Sequence, residues 1–267
     1  MPEGDTIARA AAALRLALAG RTVTAFRSTS PGVGPAGERA LVGSVVRDVT
    51  SKGKHLLMTF DAPGNAMVLH SHMGMTGSWH IYRPGERWRA PSRDVRAVVQ
   101  TDACVAPCFA APLIELIRER DLAMHPVLSA LGPDAAADGF DEREAVARLR
   151  ARADVEIGTA LLDQRAMAGL GNDLRVEVLH RARVSPFRRV GDLPDDALVS
   201  LVRDGRRLLR LNLTGPARRS RNALDVRRRK WVYGRAGKPC YACGTPILAH
   251  PQGEQARVAY WCPTCQT

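Results

Sequence analysis

The chain has 267 residues, and its 39 Lys and Arg residues against 27 Asp and Glu residues give a net charge of +12. This length is enough for two domains with cores of their own, and the positive charge favours a polyanionic partner bound in a salt-dependent manner. No apolar run approaches the ~18 residues of a membrane span, and residues 2–5 are the wrong start for a signal peptide, so we expect a cytoplasmic protein without a membrane partner.

The first residues, Met1-Pro2-Glu3-Gly4-Asp5, contain a candidate nucleophile. If Met1 is removed, Pro2 offers a secondary amine that can attack a sugar carbon and form an iminium, with the Glu3 carboxylate beside it for proton transfer. An α-amine titrates near ~8 against ~10.4 for a lysine side chain, which makes it roughly a hundredfold more available as free base at neutral pH. The alternative is a disordered terminus.

Apolar residues at helical spacing predict a helix after this terminus, capped by Asp5 or Thr6 and closed by Gly20. From Arg21 to about Phe109 the pattern changes to short strands between Gly-, Pro- and Asp-rich turns, which is typical of a sandwich or barrel-like sheet pair. The predicted strands are Thr22–Phe26, Val45–Thr50, His55–Phe60, Ala66–His70, Ser78–Tyr82, Val95–Thr101 and Ala103–Phe109.

The C-terminal half is predicted to be helical, with apolar residues at intervals of three and four. A turn over residues 168–172, Ala-Gly-Leu-Gly-Asn, precedes one of these helices and can bring backbone N–H groups and the Asn172 side chain to a phosphate; a plain helix–helix connection is the alternative. The basic run over residues 218–230 has seven cations and one acid, and we interpret it as a phosphate-facing linker rather than a solvated tail. The predicted helices are Asp141–Arg152, Ile157–Gln164, Asp173–Ala182 and Pro194–Leu211.

Four of the six cysteines form two Cys-x-x-Cys pairs, Cys240 with Cys243 and Cys262 with Cys265, separated by 18 residues. This spacing is typical of a tetrahedral zinc site; a redox pair or buried thiols are the alternatives. The sequence therefore predicts one structural Zn²⁺, without an open coordination position and without an organic cofactor. Arg257 lies between the two pairs, on the tip or flank of a predicted β-hairpin, where it can contact DNA.

Five separate motifs together resemble the formamidopyrimidine-DNA glycosylase/endonuclease VIII family, the helix–two-turn–helix DNA repair glycosylases. The resemblance covers essentially the whole chain, and both Gly4 and the ending Tyr260-Trp261-Cys262-Pro263 are closer to the endonuclease VIII branch. The motifs are Pro2-Glu3-Gly4-Asp5, Ser51-Lys52-Gly53-Lys54-His55-Leu56-Leu57, His72-Met73-Gly74-Met75-Thr76-Gly77, residues 162–172 from Leu-Asp-Gln to Gly-Asn, and Val232-Tyr233-Gly234-Arg235 leading into the four cysteines.

The resemblance implies an α+β multidomain fold. Its parts are an N-terminal β-sandwich with an N-terminal helix, a helical helix–two-turn–helix domain and a C-terminal four-Cys zinc finger. The expected boundaries are residues 1–120 for the catalytic sandwich, 121–139 for a linker, 140–230 for the helical domain and 231–267 for the finger.

The resemblance also implies the role of each site residue. Pro2 would attack C1′ of the damaged nucleoside, Glu3 would donate and accept protons during sugar-ring opening, and Lys54 would contact a phosphate near the lesion and assist catalysis. The implied contacts with the DNA backbone are His72, Asn172 and Arg257, with a structural histidine on a strand as the alternative for His72. Met75 would be the wedge that fills the space of the extruded nucleotide, with a core methionine as the alternative. Asp163 and Glu177 match acidic residues of the family that hold the helical motif together.

The implied function is a bifunctional DNA glycosylase and AP lyase of base excision repair, acting by β,δ-elimination as a nucleoid-associated bacterial monomer. Its partner would be damaged DNA, whether duplex, abasic or single-stranded. Two departures from the family pattern stand out: residues 101–110 lack the arginines of the formamidopyrimidine branch's Asp-Pro-Arg-Arg-Phe-Gly loop, and Asp173 and Arg175 add charge beside Asn172. The first departure leaves open a non-catalytic, zinc-dependent damaged-DNA-binding protein. Cys104 and Cys108 are expected to be small buried hydrophobic residues.

Overall fold

The computed structural model describes residues 2–62, 64–215, 218–222, 225 and 228–267. The chain divides into two compact units, unit 1 over Met1–Ala130 and unit 2 over Leu131–Thr267. None of the helices in the described ranges is long and apolar enough to cross a membrane. The finer division at residues 120, 139 and 230 stays a prediction.

Unit 1 begins with helix α1, Gly4–Leu18. Its buried apolar side chains recur every three or four residues, as the sequence predicts, and face the core of the unit. The N-cap is Glu3 rather than Asp5 or Thr6, and the Glu3 carbonyl accepts hydrogen bonds from the backbone N–H groups of Thr6 and Ile7. The predicted cap is therefore wrong by two residues or more, because the helix starts immediately after the candidate catalytic pair.

Two antiparallel four-stranded sheets follow α1 and form the predicted sandwich. The first sheet has the order β2-β3-β4-β8 and the second β1-β6-β7-β5, and apolar side chains from both sheets and α1 share one core. The strands are β1 Ala25–Ser28, β2 Val45–Lys52, β3 His55–Ala62, β4 Asn65–His72, β5 Ser78–Trp79, β6 Val95–Gln100, β7 Val105–Phe109 and β8 Leu113–Arg118.

Several predicted elements of unit 1 differ from the structure. Strand β8 and helix α2, Gly34–Leu41, were not expected; α2 starts on Gly-Pro and buries only Leu41, so it has little helical pattern to read. Strand β5 ends at Trp79 rather than Tyr82, which forms only an isolated bridge to Val105. Strand β1 is shifted to start three residues later than predicted, at Ala25.

In its described residues, unit 2 combines helices α3 to α6 with a C-terminal β-hairpin. Helices α3, α5 and α6 pack around an apolar core, and a second, smaller cluster joins Val176 of α5 to the hairpin region. The elements are α3 Glu142–Arg150, α4 Ile157–Ala160, α5 Asn172–Arg181, α6 Asp195–Leu211, β9 Leu248–Gln252 and β10 Arg257–Trp261. Helix α4 is half as long as predicted because the chain turns at Asp163, whose carboxylate binds the backbone N–H of Arg165.

Candidate active site

Pro2 and Glu3 lie directly before α1 and are both ordered parts of unit 1. Pro2 is half-buried, whereas the Glu3 side chain is fully buried. Since the Glu3 carbonyl starts the helix, the backbone beside Pro2 is anchored rather than frayed. Met1, whose loss the nucleophile hypothesis requires, lies outside the described residues.

Lys54 lies on the two-residue turn between β2 and β3. The turn is closed by the pairing of Lys52 with His55, and Gly53 has a φ of +58°, a left-handed conformation that glycine adopts without strain. His72, at the end of β4, pairs with His55 across the sheet. Burial first and then the nearby Lys54 ammonium lower the pKa of His72, so the structure brings these two candidate site residues together.

Met75 lies in the loop that follows β4 and is 58 % exposed. The neighbouring Met73 is buried, and its carbonyl accepts a hydrogen bond of 2.7 Å from the N–H of Gly77. A Cβ at Gly77 would meet this carbonyl at 2.5 Å, so the tight turn requires glycine. Of the two methionines, it is Met75 that projects toward solvent, as a wedge side chain must.

The histidines near Lys54 make the free energy of unfolding depend on pH. Burial, followed by His70, His72, His125 and Lys54, lowers the pKa of His55 from 6.5 to about 3. Between these two pH values His55 is protonated in the unfolded chain and neutral in the folded chain. Its contribution to the free energy of unfolding is therefore fully present above pH 6.5 and is lost as the pH falls toward 3.

We therefore expect wild-type stability to fall by up to about 1.4 kcal/mol per pH unit for His55 alone between pH 6 and pH 4.5. His55→Gln should show a shallower decrease, measured by guanidinium unfolding at several pH values. His250→Gln, which changes an exposed histidine, should keep the wild-type slope. An unchanged slope in His55→Gln would mean that His55 is protonated in the folded protein.

Asn172, the first residue of α5, is connected to the hairpin directly and through Arg175. The sequence analysis treated this arginine only as a departure from the family pattern. The Asn172 amide donates to the Val258 carbonyl at 3.0 Å. Arg175 is fully buried; its Nη2 donates to Asn172 Oδ1 at 2.7 Å and to the Arg257 carbonyl at 3.3 Å, and its Nη1 donates to Gln252 Oε1 at 2.9 Å. One guanidinium thus joins α5 to both strands of the hairpin. The sequence signal for these contacts was the charge of Arg175, because an arginine that is buried needs several hydrogen-bond partners.

Asp173 does not leave an uncompensated negative charge beside Asn172. It is 5 % exposed and forms ion pairs with Arg218, at 3.2 Å, and with Lys230. Two cations of the basic run therefore bind the start of α5. Arg227, which belongs to the same run, lies outside the described residues.

Glu177 and Asp163 both bind backbone or arginine groups at structural junctions. Fully buried Glu177 accepts hydrogen bonds from the Ser220 hydroxyl and from three successive backbone N–H groups over residues 231–233. Asp163 accepts from Arg152 and Arg165; burial works against its charge, but these hydrogen bonds outweigh burial and hold the pKa of Asp163 at about 2. Neither carboxylate contacts the other, and each fixes a turn.

A cleft of ≈ 430 Å³ lies on unit 1 and a larger one of ≈ 690 Å³ on unit 2. The larger cleft is lined by Arg257 at the start of β10, by Arg152 and Arg165, and by Asp163 and Gln164 of the turn after α4. Arg152 and Arg165 form ion pairs with Asp163, and Glu254 also lines the cleft, so its lining carries charges of both signs.

The four cysteines of the two Cys-x-x-Cys pairs converge in unit 2, with every Sγ within 4.8 Å of the others. The Sγ–Sγ distances are 3.4 Å for Cys243–Cys262, 3.4 Å for Cys243–Cys265 and 4.0 Å for Cys240–Cys265. Four sulfurs at ~2.3 Å from a tetrahedral metal ion would lie about 3.8 Å apart, so this four-cysteine cluster can bind a metal ion.

The segment over residues 101–110 is an exposed turn only at Asp102 and Ala103. Its residues 105–109 form β7 and are all buried, between β6 and β5 in the second sheet. Cys104 and Cys108 are buried as expected, and burial raises the pKa of the Cys108 thiol to about 12. The strand predicted over Ala103–Phe109 is therefore confirmed over residues 105–109, where the structure has buried side chains in place of the family loop.

Comparison with known families gives the class of protein that this fold and these motifs define. The formamidopyrimidine-DNA glycosylase N-terminal domain matches residues 1–111, and the formamidopyrimidine-DNA glycosylase H2TH domain matches residues 131–220. The chain belongs to the formamidopyrimidine-DNA glycosylase/endonuclease VIII family, which confirms the resemblance inferred from its motifs.

Relatives with these motifs are similar over the whole chain. The DNA-(apurinic or apyrimidinic site) lyase Nei2 of Mycolicibacterium smegmatis is 40% identical over 100% of this chain and 99% of its own length. The probable endonuclease 8 2 of Streptomyces coelicolor is 37% identical over 100% of this chain and 94% of its own length. Among solved structures, Lactococcus lactis Fpg in complex with an oxidized pyrimidine containing DNA superposes with a TM-score of 0.84 at 21% identity, covering 100% of both chains, which establishes the shared fold.

Proposed function

We propose that this protein is a bifunctional DNA glycosylase and AP lyase that excises an oxidised base and then cleaves the strand at the resulting abasic site. The observation that carries the proposal is the anchored Pro2–Glu3 pair directly before α1, in a chain whose relatives include an AP-site lyase and endonucleases 8. Its substrate is damaged DNA, met in the bacterial cytoplasm by a monomer.

In the proposed mechanism, the Pro2 nitrogen forms a bond to C1′ as the bond from C1′ to the base breaks. Glu3 protonates the ring oxygen as the sugar opens, which leaves an iminium between Pro2 and C1′. Loss of a C2′ proton then expels the 3′ phosphate, and a second elimination expels the 5′ phosphate. The burial of the Glu3 side chain directly beside Pro2 in the chain supports this role, because it keeps the carboxyl group next to the amine and out of bulk solvent.

Phosphate contacts are assigned to Lys54 and His72 in unit 1 and to Asn172 and Arg257 in unit 2, with Met75 filling the space of the extruded nucleotide. The exposure of Met75 and the position of Arg257 in the lining of the cleft of unit 2 support this assignment. Asp163 and Glu177 hold the turns that these residues depend on. We further propose that the ion bound by the four-cysteine cluster is Zn²⁺, since four thiolates favour a closed structural zinc site.

The test is a nicking assay on a duplex with one abasic site, followed by excision from a panel of oxidised bases in duplex, bubble and single-stranded DNA. We expect strand cleavage, and a covalent adduct when borohydride is present. DNA binding without cleavage or adduct would overturn the proposal and favour the non-catalytic damaged-DNA-binding protein.

Arg257→Gln should weaken binding to DNA of any sequence and reduce the slope of log affinity against log salt by about 1, because one phosphate contact is lost. The measurement is fluorescence anisotropy with an abasic-site analogue at several salt concentrations. Arg143→Gln, an exposed arginine on α3, is the matched control and should leave the slope unchanged. Equal slopes for wild type and Arg257→Gln would remove Arg257 from the interface.

A further inference from the structure

Four buried or half-buried side chains of unit 1 form a continuous hydrogen-bonded chain that the proposed mechanism does not use. His55 Nδ1 lies 2.8 Å from His70 Nε2, and His70 Nδ1 lies 2.8 Å from Glu115 Oε1. His125 Nε2 lies 3.1 Å from the same Glu115 oxygen. We call His55, His70, Glu115 and His125 the histidine chain.

The register of strands β3, β4 and β8 brings the residues of the histidine chain together from separate segments of the sequence. His70 on β4 pairs directly with Glu115 on β8, and His55 on β3 pairs with His72 on β4. His125 follows the 3₁₀ turn Glu119–Met124 that leaves β8. His70 is fully buried and His55 is 6 % exposed, so their ring nitrogens depend on each other for hydrogen bonds.

The direction of each hydrogen bond in the histidine chain follows from the backbone groups that bind His125. His125 Nδ1 accepts from the backbone N–H groups of Leu128, at 3.1 Å, and Val127, at 3.3 Å, so the proton of the neutral ring is on Nε2 and points at Glu115. The carboxylate also accepts the Nδ1 proton of His70, which leaves His70 Nε2 to accept the Nδ1 proton of His55.

This polarity argues against a metal ion at the same residues. His70, Glu115 and His125 have ligand atoms within 4.8 Å of one another, as a metal site would. A metal on His125 Nε2 would require Nδ1 to carry the proton, and that proton would then face two backbone N–H donors. The hydrogen-bonded arrangement satisfies every group without this conflict.

The histidine chain also fixes both flanks of the Lys54 turn to one segment. On the side before the turn, Lys52 Nζ donates to the Leu128 carbonyl at 2.8 Å. On the side after it, His55 connects through the chain to His125, which accepts the Leu128 N–H. Lys54 therefore sits on a turn that is attached at both ends to residues 125–128.

We propose that the histidine chain positions Lys54 for the strand-cleaving reaction, an inference that rests on the proposed function. His70 and Glu115 are the central positioning residues, because removing either one separates His55 from the 125–128 segment. In this role they act through the turn that carries Lys54 and not through a contact with DNA. Errors of about 1 Å in the placement of a contributing group can lower a rate by as much as ~100-fold.

The test is the single-turnover rate of abasic-site cleavage at saturating enzyme. His70→Phe keeps a ring of similar size without ring nitrogens and should lower the rate roughly 10- to 100-fold. His70→Gln can still accept from His55 and donate to Glu115, and should restore the rate to within about threefold of wild type. His80→Phe, a half-buried histidine on the other side of the sandwich, is the matched control and should match wild type.

A double-variant cycle with Lys54→Ala separates positioning from general damage to the fold. If the chain acts through Lys54, adding His70→Phe to Lys54→Ala should change the rate by less than about twofold. Glu115→Leu, at a half-exposed position, repeats the cycle independently of how well His70→Phe folds. A full additional loss in the Lys54→Ala background, or a wild-type rate for both single variants, would overturn the inference.

Long-range ¹H–¹⁵N spectra of the histidine rings test the assigned polarity of the chain directly, while the double-variant cycle tests its role in positioning. We expect the Nδ1–H form for His70 and the Nε2–H form for His125, and loss of the single His55 form in Glu115→Leu. The opposite forms would contradict the assigned polarity. If the wild-type protein itself fails to cleave abasic DNA, the proposed function fails first, and this outcome is distinct from a failed cycle in an active enzyme.

Discussion

Pro2→Gly is expected to lower both abasic-strand cleavage and the yield of borohydride-trapped adduct by at least about 100-fold. The secondary amine of Pro2 gives an iminium that is positively charged at every pH and so accepts electrons throughout the elimination steps. A glycine amine gives an imine that must first be protonated, on a backbone that is no longer held by the proline ring.

Two measurements decide whether the loss comes from the nucleophile. Peptide mapping of the reduced wild-type adduct should place the sugar remnant on residue 2, and the intact mass should show that Met1 is absent. Pro84→Gly, in an exposed turn of the same unit, should trap as wild type does. An adduct on Lys54, retention of Met1, or normal trapping by Pro2→Gly would each remove Pro2 from the mechanism.

Cys262→Ser is expected to reduce the bound metal from one ion per chain to none. Cys262 is fully buried and follows β10 directly, so its loss releases the strand that carries Arg257 and the carbonyl bound by Asn172. We expect the dissociation constant for abasic DNA to rise about 100-fold, roughly 1.5 kcal/mol for each of the two phosphate contacts.

Metal content is measured by atomic emission and DNA affinity by fluorescence anisotropy on the same samples. Cys104→Ala removes a buried cysteine of unit 1 and should retain both the metal and the affinity. A metal-free Cys262→Ser protein that binds DNA normally would show that the four-cysteine cluster does not support the interface.

Local patterns predicted the sandwich, the helical unit and the cysteine pairs, because each of these depends on spacing within a short stretch. The strands over residues 45–72 and the helix before residue 20 are examples, since their buried side chains alternate or recur at helical intervals. Strand β8 was not predicted, although Leu113–Arg118 alternates weakly, because it completes the sheet by pairing with β4 across 40 intervening residues or more.

The candidate site depends even more on contacts between distant parts of the chain, which local patterns do not predict. Family motifs named Pro2, Lys54 and Asn172, but the partners of these residues come from other strands. His70 meets Glu115 only because of the β4–β8 register, and a shift of one residue would turn their side chains to opposite faces. Arg175 likewise finds its partners on a hairpin more than 75 residues later in the chain. Register and long-range pairing are properties of the folded chain that no local window contains.

The buried guanidinium of Arg175 means that much of the ordering of Asn172 and Arg257 is complete before any nucleic acid arrives. Arg175 Nη2 donates to the Asn172 side chain and to the backbone carbonyl of Arg257, so substitution of Arg175 should loosen both residues, whereas substitution of the Arg257 side chain leaves its carbonyl bound. Because these residues are ordered in advance, DNA binding loses less conformational entropy. More of the free energy of the phosphate contacts is then available for bending the DNA duplex.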